Sequence, residues 1–274
     1  MNPPSDNEPP LRTADIGEAP TSTWVSRLFR GAGGRPAVVV ELVLLGVWFL
    51  VFGRLDAAVG TDLAAANANA AALQSFEHAV HIDIERSVNG WLAGNVVLSH
   101  VAVYVYRLYY LAIAGVLVWV FVRHADVYRG VRTTMVAMMV LVLPVYWAVP
   151  MSPPRSALPG AVDIVARYDI FDSASWTHPS HYTAMPSMHV GWSLWCAYAV
   201  WTALRGTRPR LALLSWLFPL LMVGVVFATA NHYVLDVVGS VTLLAVAIVA
   251  ASLWGRLRGT YRSASRRSTR SPLS

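Results

Sequence analysis

The stretch LALLSWLFPLLMVGVVFAT, residues 211–229, carries no charged side chain and is long enough to cross a lipid bilayer as a helix. The rest of the chain has the same character. Hydrophobic residues make up 56% of the 274 residues and charged residues 13%, against about 45–50% and about 25% in average soluble domains. The composition therefore excludes a water-soluble globular enzyme and indicates an all-α integral membrane protein.

Other stretches of similar length and apolar character occupy residues 37–53, 97–122, 133–150, 186–204 and 233–254. Together with residues 211–229 they predict a bundle of six transmembrane helices within residues 35–255. Residues 1–34 are rich in Pro, Ser, Gly and charge, and we expect a disordered tail there. Residues 256–274 are rich in Ser and Arg and are predicted to form a basic tail.

The positions of the basic residues orient these spans. All 21 basic residues are arginine, and 16 of them lie before the first span or within residues 123–132, 205–210 and 256–270. The positive-inside rule then predicts that both termini are cytoplasmic and that residues 54–96, 151–185 and 230–232 face outward. The arginines border apolar stretches, where they meet lipid headgroups, so we expect membrane lipids and not nucleic acid as partners. The sequence predicts a multi-pass protein of the plasma membrane.

The first outward connection, residues 54–96, contains apolar residues at helical spacing: Leu73, Phe76, Val80, Ile84 and Val88. This pattern predicts a short amphipathic helix lying on the membrane.

Three polar clusters lie at the predicted outer ends of the spans. They are PPR at 153–155, MPSMH at 185–189 and TANHYVLD at 229–236. Placing a polar group within or at the edge of a membrane span costs free energy, so its presence indicates a structural or functional role. The motif positions and the arginine distribution are independent, and both place the clusters on one side of the membrane.

The spacing within these clusters indicates phosphate chemistry. His232 and Asp236 are four residues apart, so a carboxylate can keep one imidazole nitrogen protonated and leave the other free to attack. Pro186 and Ser187 open a helix whose free backbone N–H groups suit a phosphate. His189 in the same first turn can donate a proton, and the Arg155 guanidinium matches a phosphoryl group.

These motifs resemble the type 2 phosphatidic acid phosphatase superfamily, a group of lipid phosphatases and phosphotransferases. The resemblance covers residues 97–254 and rests on P-S-x-H at 186–189 and H-x-x-x-D at 232–236. The stretches PPR, AMPSMH and TANHYVLD look most like the branch that contains inositol phosphorylceramide synthases.

The resemblance implies a role for each matching residue. The nucleophile that forms a phosphohistidine falls on His232, its orienting aspartate on Asp236, and the histidine that protonates the leaving group on His189. Ser187, Arg155 and Asn231 then belong to the phosphate pocket. The resemblance implies no cofactor and no metal.

The chain also departs from the superfamily pattern. Better-known members begin their first motif with lysine, which this chain lacks, and carry an arginine shortly before the nucleophile, where residues 225–228 read VVFA. These differences argue against an ordinary phosphatidate phosphatase. Arg107, inside the second span, or Arg167 could supply the missing positive charge.

Each candidate also has a structural alternative. His232 with Asp236, or His189 alone, could be a buried polar contact of a helical bundle, and Ser187 could cap its helix as well as bind phosphate. Arg155 and Arg107 could be interfacial arginines. A zinc site at His178, His181 and His189 fits no ligand spacing that we recognise.

The sequence therefore predicts a membrane phosphatase with a phosphohistidine intermediate. Its expected substrate is a polyprenyl phosphate or diphosphate, phosphatidate or a phosphorylated glycolipid. Transfer of the phosphoryl headgroup to an acceptor alcohol, hydrolysis of a soluble isoprenoid diphosphate, and a non-catalytic transporter with a polar pathway are the alternatives.

Overall fold

In a computed structural model of the protein, residues 36–169 and 182–268 are described, with side chains as far as residue 258. These ranges are helical apart from short connections and one isolated bridge between Met151 and Thr183, which confirms the all-α class for them. We number the helices in chain order: α1 (Val38–Asp56), α2 (Leu63–Ala79), α3 (Glu85–Ala93), α4 (Val96–Arg123), α5 (Ala125–Ala148), α6 (Pro154–Ala157), α7 (Ile164–Arg167), α8 (Met188–Leu204), α9 (Pro209–Leu214), α10 (Leu217–Ala228) and α11 (Val234–Ser268).

Short polar side chains fix where several helices begin. The Asp62 carboxylate accepts a hydrogen bond from the Ala65 N–H at 2.9 Å, and the Asn95 amide oxygen accepts one from the Leu98 N–H at 3.0 Å. Each side chain satisfies a backbone N–H that has no partner within its own helix. Helices α2 and α4 therefore start directly after these two residues.

Within residues 36–169 and 182–268, five helical segments are long and apolar enough to cross a membrane: Val38–Asp56, Val96–Arg123, Ala125–Ala148, Pro209–Ala228 and Val234–Arg258. The chain is thus a multi-pass membrane protein.

The predicted count of six spans is not confirmed. The predicted span at 186–204 corresponds to α8, which has 17 residues. At 1.5 Å per residue such a helix is about 25 Å long, less than the roughly 30 Å hydrocarbon core of a bilayer. The side chains of Trp192, Trp195 and Cys196 on α8 are buried, because this helix packs against α4, α10 and α11 within the protein.

The protein core lies between α5, α8 and α11. Met135, Met138 and Met139 of α5 are fully buried, and the flexible methionine side chain fills irregular gaps between helices. The buried Trp195 of α8 donates a hydrogen bond from its indole N–H to the Val131 carbonyl of α5 at 3.0 Å. This bond pairs a polar group that burial would otherwise leave unsatisfied.

The first predicted outer connection contains two helices, α2 and α3, where the sequence predicted one amphipathic helix. The chain turns between them at His81, whose φ is 59°. The apolar pattern continues through this turn, so periodicity alone did not reveal it. Phe76, Val80 and Ile84 are exposed, as expected of side chains that face lipid.

The two predicted tails are only partly described. Residues 1–34 lie outside the described ranges. At the other end α11 continues past residue 255 as far as Ser268. No helix end marks the predicted boundary between residues 255 and 256, which stays a prediction.

The three predicted outer connections meet at one end of the bundle. The Tyr182 N–H donates to the Gly60 carbonyl at 2.8 Å, and the Arg155 N–H donates to the Ala230 carbonyl at 2.7 Å. The Ser152 hydroxyl donates to the Asn67 amide oxygen at 2.7 Å. Segments far apart in the chain are therefore joined where the polar motifs lie.

A buried ion pair joins α1 to α5 near the other end of the bundle. One guanidinium nitrogen of Arg132 lies 2.6 and 2.7 Å from the two Glu41 carboxylate oxygens, and the Tyr128 hydroxyl donates to the same carboxylate at 2.8 Å. Most other α1 side chains are exposed. Glu41 thus connects the first span to the bundle.

We expect Glu41→Leu to lower the free energy of unfolding by about 3 kcal/mol, because the change leaves a partly buried guanidinium and a buried hydroxyl without their acceptor. The double variant Glu41→Leu with Arg132→Leu should recover most of the loss, since two apolar side chains replace the pair. Unfolding in detergent micelles measures both. A loss no larger than that of Asp126→Asn, an exposed carboxylate on α5, would contradict this role.

Candidate active site

The turn between α10 and α11 carries His232. Helix α10 ends at Ala228 and α11 begins at Val234, and Ala230 between them has a φ of 51°. This left-handed conformation is unusual for a residue with a side chain. It directs the Ala230 carbonyl to the Arg155 N–H, which donates to it at 2.7 Å. The turn therefore joins the third polar cluster to the first.

The hydrogen bonds of His232 determine its tautomer. Its Nδ1 lies 2.9 Å from the Ala184 carbonyl oxygen and 3.2 Å from the Asp236 Oδ2. A carbonyl can only accept a hydrogen bond, so Nδ1 carries the hydrogen. In the neutral ring Nε2 then keeps its lone pair, which is the form that a nucleophile requires.

Burial and a second hydrogen bond hold the Asp236 carboxylate beside the His232 ring. The carboxylate is fully buried, and its Oδ2 also accepts a hydrogen bond from the Tyr233 N–H at 2.9 Å. The carboxylate therefore binds the turn and the His232 ring together, as the four-residue spacing predicted.

His189 lies in the first turn of α8, next to His232. The two ring centroids are 5.9 Å apart. Tyr106 of α4 stacks on His189 with a centroid distance of 4.0 Å, and Tyr109 packs on it at 4.5 Å. Two imidazoles at this separation can reach a phosphoryl group placed between them.

Ser187 caps α8 and connects its start to α11. Its hydroxyl accepts a hydrogen bond from the Val190 N–H at 3.3 Å, and its carbonyl accepts one from the Ser240 hydroxyl at 2.7 Å. Gly239 of α11 lies against Pro186: a Cβ at position 239 would be 3.2 Å from the Pro186 Cβ. The cap that the sequence suggested is present, and the two histidine motifs are closely packed.

Arg155 lies beside the His232 turn. One of its terminal guanidinium nitrogens donates to the Asn231 amide oxygen, and its Nε lies 3.1 Å from the Asp163 carboxylate. The Asn231 amide nitrogen donates to the Thr229 hydroxyl at 2.7 Å. Asn231 thus orients Arg155, and the aspartate partner of Arg155 was not expected from the sequence.

Arg107 belongs to the same group of side chains. It pairs with Asp169 at 3.0 Å, and it lies close enough to His189 for its charge to act on the imidazole, as does Arg155. The superfamily lysine and arginine are absent here, and Arg107 on α4 brings positive charge to the site from another helix. Arg167 packs its guanidinium on Tyr168 at 5.6 Å.

Two acids of the first outer connection also reach this region. The Leu235 N–H donates to Glu77 at 2.7 Å, and the Val234 N–H donates to Glu85 at 3.0 Å. Sequence reasoning missed both residues, because no motif contains them and a charged residue in a polar connection is ordinarily exposed.

The described residues contain no group of three His, Cys, Asp or Glu side chains that could hold a metal ion. Of the three histidines considered as zinc ligands, His178 and His181 lie outside the described residues.

No curated protein and no solved structure matches the chain significantly. A family model described as the PAP2 superfamily matches residues 71–250, which include every site residue named above. The match covers about two thirds of the chain, and the protein therefore belongs to the PAP2 superfamily, the type 2 phosphatidic acid phosphatases and related enzymes.

Proposed function

We propose that this protein is a membrane lipid phosphatase that hydrolyses a lipid phosphate or diphosphate through a phosphohistidine on His232. The observation that carries this proposal is the tautomer of His232, whose Nδ1 is bound to two acceptors while His189 lies 5.9 Å away. Superfamily membership supports the reaction class, and the apolar helices support a substrate that resides in the membrane.

The first step forms a bond between His232 Nε2 and phosphorus while the bond from phosphorus to the leaving oxygen breaks. Protonated His189 gives its proton to that oxygen. The Asp236 carboxylate stabilises the positive charge that the His232 ring gains on forming the new bond. Arg155 and Arg107 supply positive charge for the non-bridging phosphoryl oxygens.

The second step returns the enzyme to its starting state. Neutral His189 takes a proton from a water molecule, whose oxygen attacks phosphorus as the phosphorus–nitrogen bond breaks. Inorganic phosphate leaves, and the His232 Nε2 regains its lone pair. In the absence of substrate Asp163 and Asp169 bind the two arginines, and a phosphoryl group would compete with them for the same donors.

We place the reaction at the outer face of the plasma membrane, with both termini in the cytoplasm. The distribution of arginines supports this orientation, and the polar motifs lie together at one end of the bundle. Polyprenyl phosphates or diphosphates, phosphatidate and phosphorylated glycolipids are the substrates to assay first.

We expect His232→Ala to reduce phosphate release from these lipids by about 10³-fold or more, because the nucleophile is removed. The assay uses purified protein in detergent and measures free phosphate. His78→Ala is the control, since His78 is an exposed histidine that pairs only with Asp83 among the described residues. Retained turnover in folded His232→Ala protein would favour the transporter alternative.

We expect Asp236→Asn to lower kcat by about 10²- to 10⁴-fold with little change in KM. The amide oxygen can still accept from the Tyr233 and His232 N–H groups, so the fold should persist. The negative charge that stabilises the His232 cation is lost. Steady-state kinetics measures the expected loss of kcat, and thermal unfolding checks that the fold is retained. An unchanged kcat would show that the carboxylate charge has no part in the reaction.

Phosphoryl transfer to an alcohol is the alternative reaction, favoured by the likeness of AMPSMH and TANHYVLD to the inositol phosphorylceramide synthase branch. We expect the wild type to release phosphate when water is the only acceptor, because any hydroxyl that reaches phosphorus can resolve the phosphohistidine. Assays with and without a polyol measure free phosphate and phosphorylated polyol. Product that forms only with the polyol would identify a transferase.

A further inference from the structure

Two carboxyl groups from the first outer connection are buried at the start of α11. Glu77 lies near the end of α2 and Glu85 is the first residue of α3, and their exposed fractions are 0% and 2%. Acidic side chains are rarely buried unless they have partners. The mechanism above uses neither residue directly, so their burial needs another explanation.

Their partners are consecutive backbone N–H groups of the helix that follows the nucleophile. Glu85 Oε1 accepts from Val234, and Glu77 Oε1 accepts from Leu235. The preceding N–H, that of Tyr233, donates to Asp236. Three acidic side chains therefore bind the start of α11 within three residues of His232. A helix N-terminus favours nearby negative charge, but three full charges there would repel one another.

A proton between the two glutamates removes part of this repulsion. The second Glu77 oxygen, Oε2, is buried with no donor beside it, and the Glu85 carboxyl lies within hydrogen-bonding reach of Glu77. Two carboxyl groups can form a hydrogen bond only when one of them is protonated. Burial raises the pKa of Glu77 to about 8, and the negative charges of Glu85 and Asp236 act in the same direction. Burial also raises the pKa of Glu85.

We propose that Glu77 and Glu85 are positioning residues that share one proton, bind the first turn of α11 and thereby keep His232 and Asp236 in the geometry for reaction. The catalytic half of this inference rests on the proposed function, whereas the shared proton does not. The other ionisable groups that face the pair are Asp236 and Tyr233 from the start of α11 and Asp83 from the connection between α2 and α3. Loss of the shared proton would leave two adjacent buried carboxylates, whose repulsion would disturb this turn.

The first test compares Glu77→Gln with Glu77→Ala in the full-length protein. The glutamine amide can accept from the Leu235 N–H and donate to Glu85, so it imitates protonated Glu77 at every pH. We expect Glu77→Gln to keep kcat near the wild-type value at neutral pH and to lose less of it above pH 8 than the wild type does. Glu77→Ala lacks both bonds and should lose about tenfold in kcat.

Asp126→Asn controls for the loss of one carboxylate, because Asp126 is exposed and lies in the first turn of α5, next to the end of α4 that is remote from α3. It should leave the pH profile of kcat unchanged. The inference is overturned if Glu77→Gln is as impaired as Glu77→Ala, or if its alkaline profile coincides with that of the wild type.

The second test measures stability and needs no activity. A carboxyl whose pKa rises from 4.5 to about 8 on folding contributes stability that is complete below the lower value and is lost as the pH rises through the higher one. The thermal midpoint of the wild type should therefore decrease as the pH rises from 4.5 to about 8, and it should stay constant at higher pH. Glu77→Gln should flatten this dependence, and Asp126→Asn should not.

The two proposals fail in different ways. Identical stability profiles for Glu77→Gln and the wild type would overturn the shared proton. Full turnover in His232→Ala would overturn the phosphohistidine mechanism and leave the stability test unaffected.

Discussion

The first turn of α11 is the constraint on which the candidate site depends. A helix begins with backbone N–H groups that have no partner in the helix itself. Here three consecutive groups, those of residues 233 to 235, bind Asp236, Glu85 and Glu77. These acids come from α11, α3 and α2, so one set of hydrogen bonds fixes the position of the last helix relative to the first outer connection. It also fixes the His232 ring, because the Asp236 oxygen that binds the turn lies 3.2 Å from Nδ1.

Much of the fold and part of the site could be predicted from the sequence. Long apolar stretches predict helices because backbone polar groups must be satisfied inside a bilayer. The convergence of MPSMH and TANHYVLD followed from counting spans and arginines, and the His232–Asp236 pair followed from helix geometry. The number of spans could not be determined in this way, because apolar composition alone does not distinguish a membrane span from an apolar helix that packs within the protein, and α8 with its 17 residues is shorter than the other candidates. The two-helix connection escaped it because the apolar period continues across the turn at His81.

The acidic partners of Arg155 and Arg107 could not be predicted from the sequence either. Asp163 and Asp169 belong to a connection whose path depends on tertiary contacts, and no local pattern indicates which charge they meet. The same holds for Tyr106, which stacks on His189 from a different helix. The resulting site differs from a purely cationic phosphate pocket. Arg155 and Arg107 each have an acidic neighbour, so their positive charge is partly offset by the carboxylates of Asp163 and Asp169.

The contact between Gly239 and Pro186 determines how closely the two histidine motifs approach. Neither residue bears a functional group, yet their backbones meet where α8 and α11 start, and the missing side chain at position 239 permits the short separation. Because a Cβ at position 239 would lie 3.2 Å from the Pro186 Cβ, Gly239→Ala would press on the segment that leads into α8 and His189. The packing of the two histidine motifs thus depends on a glycine that belongs to neither of them.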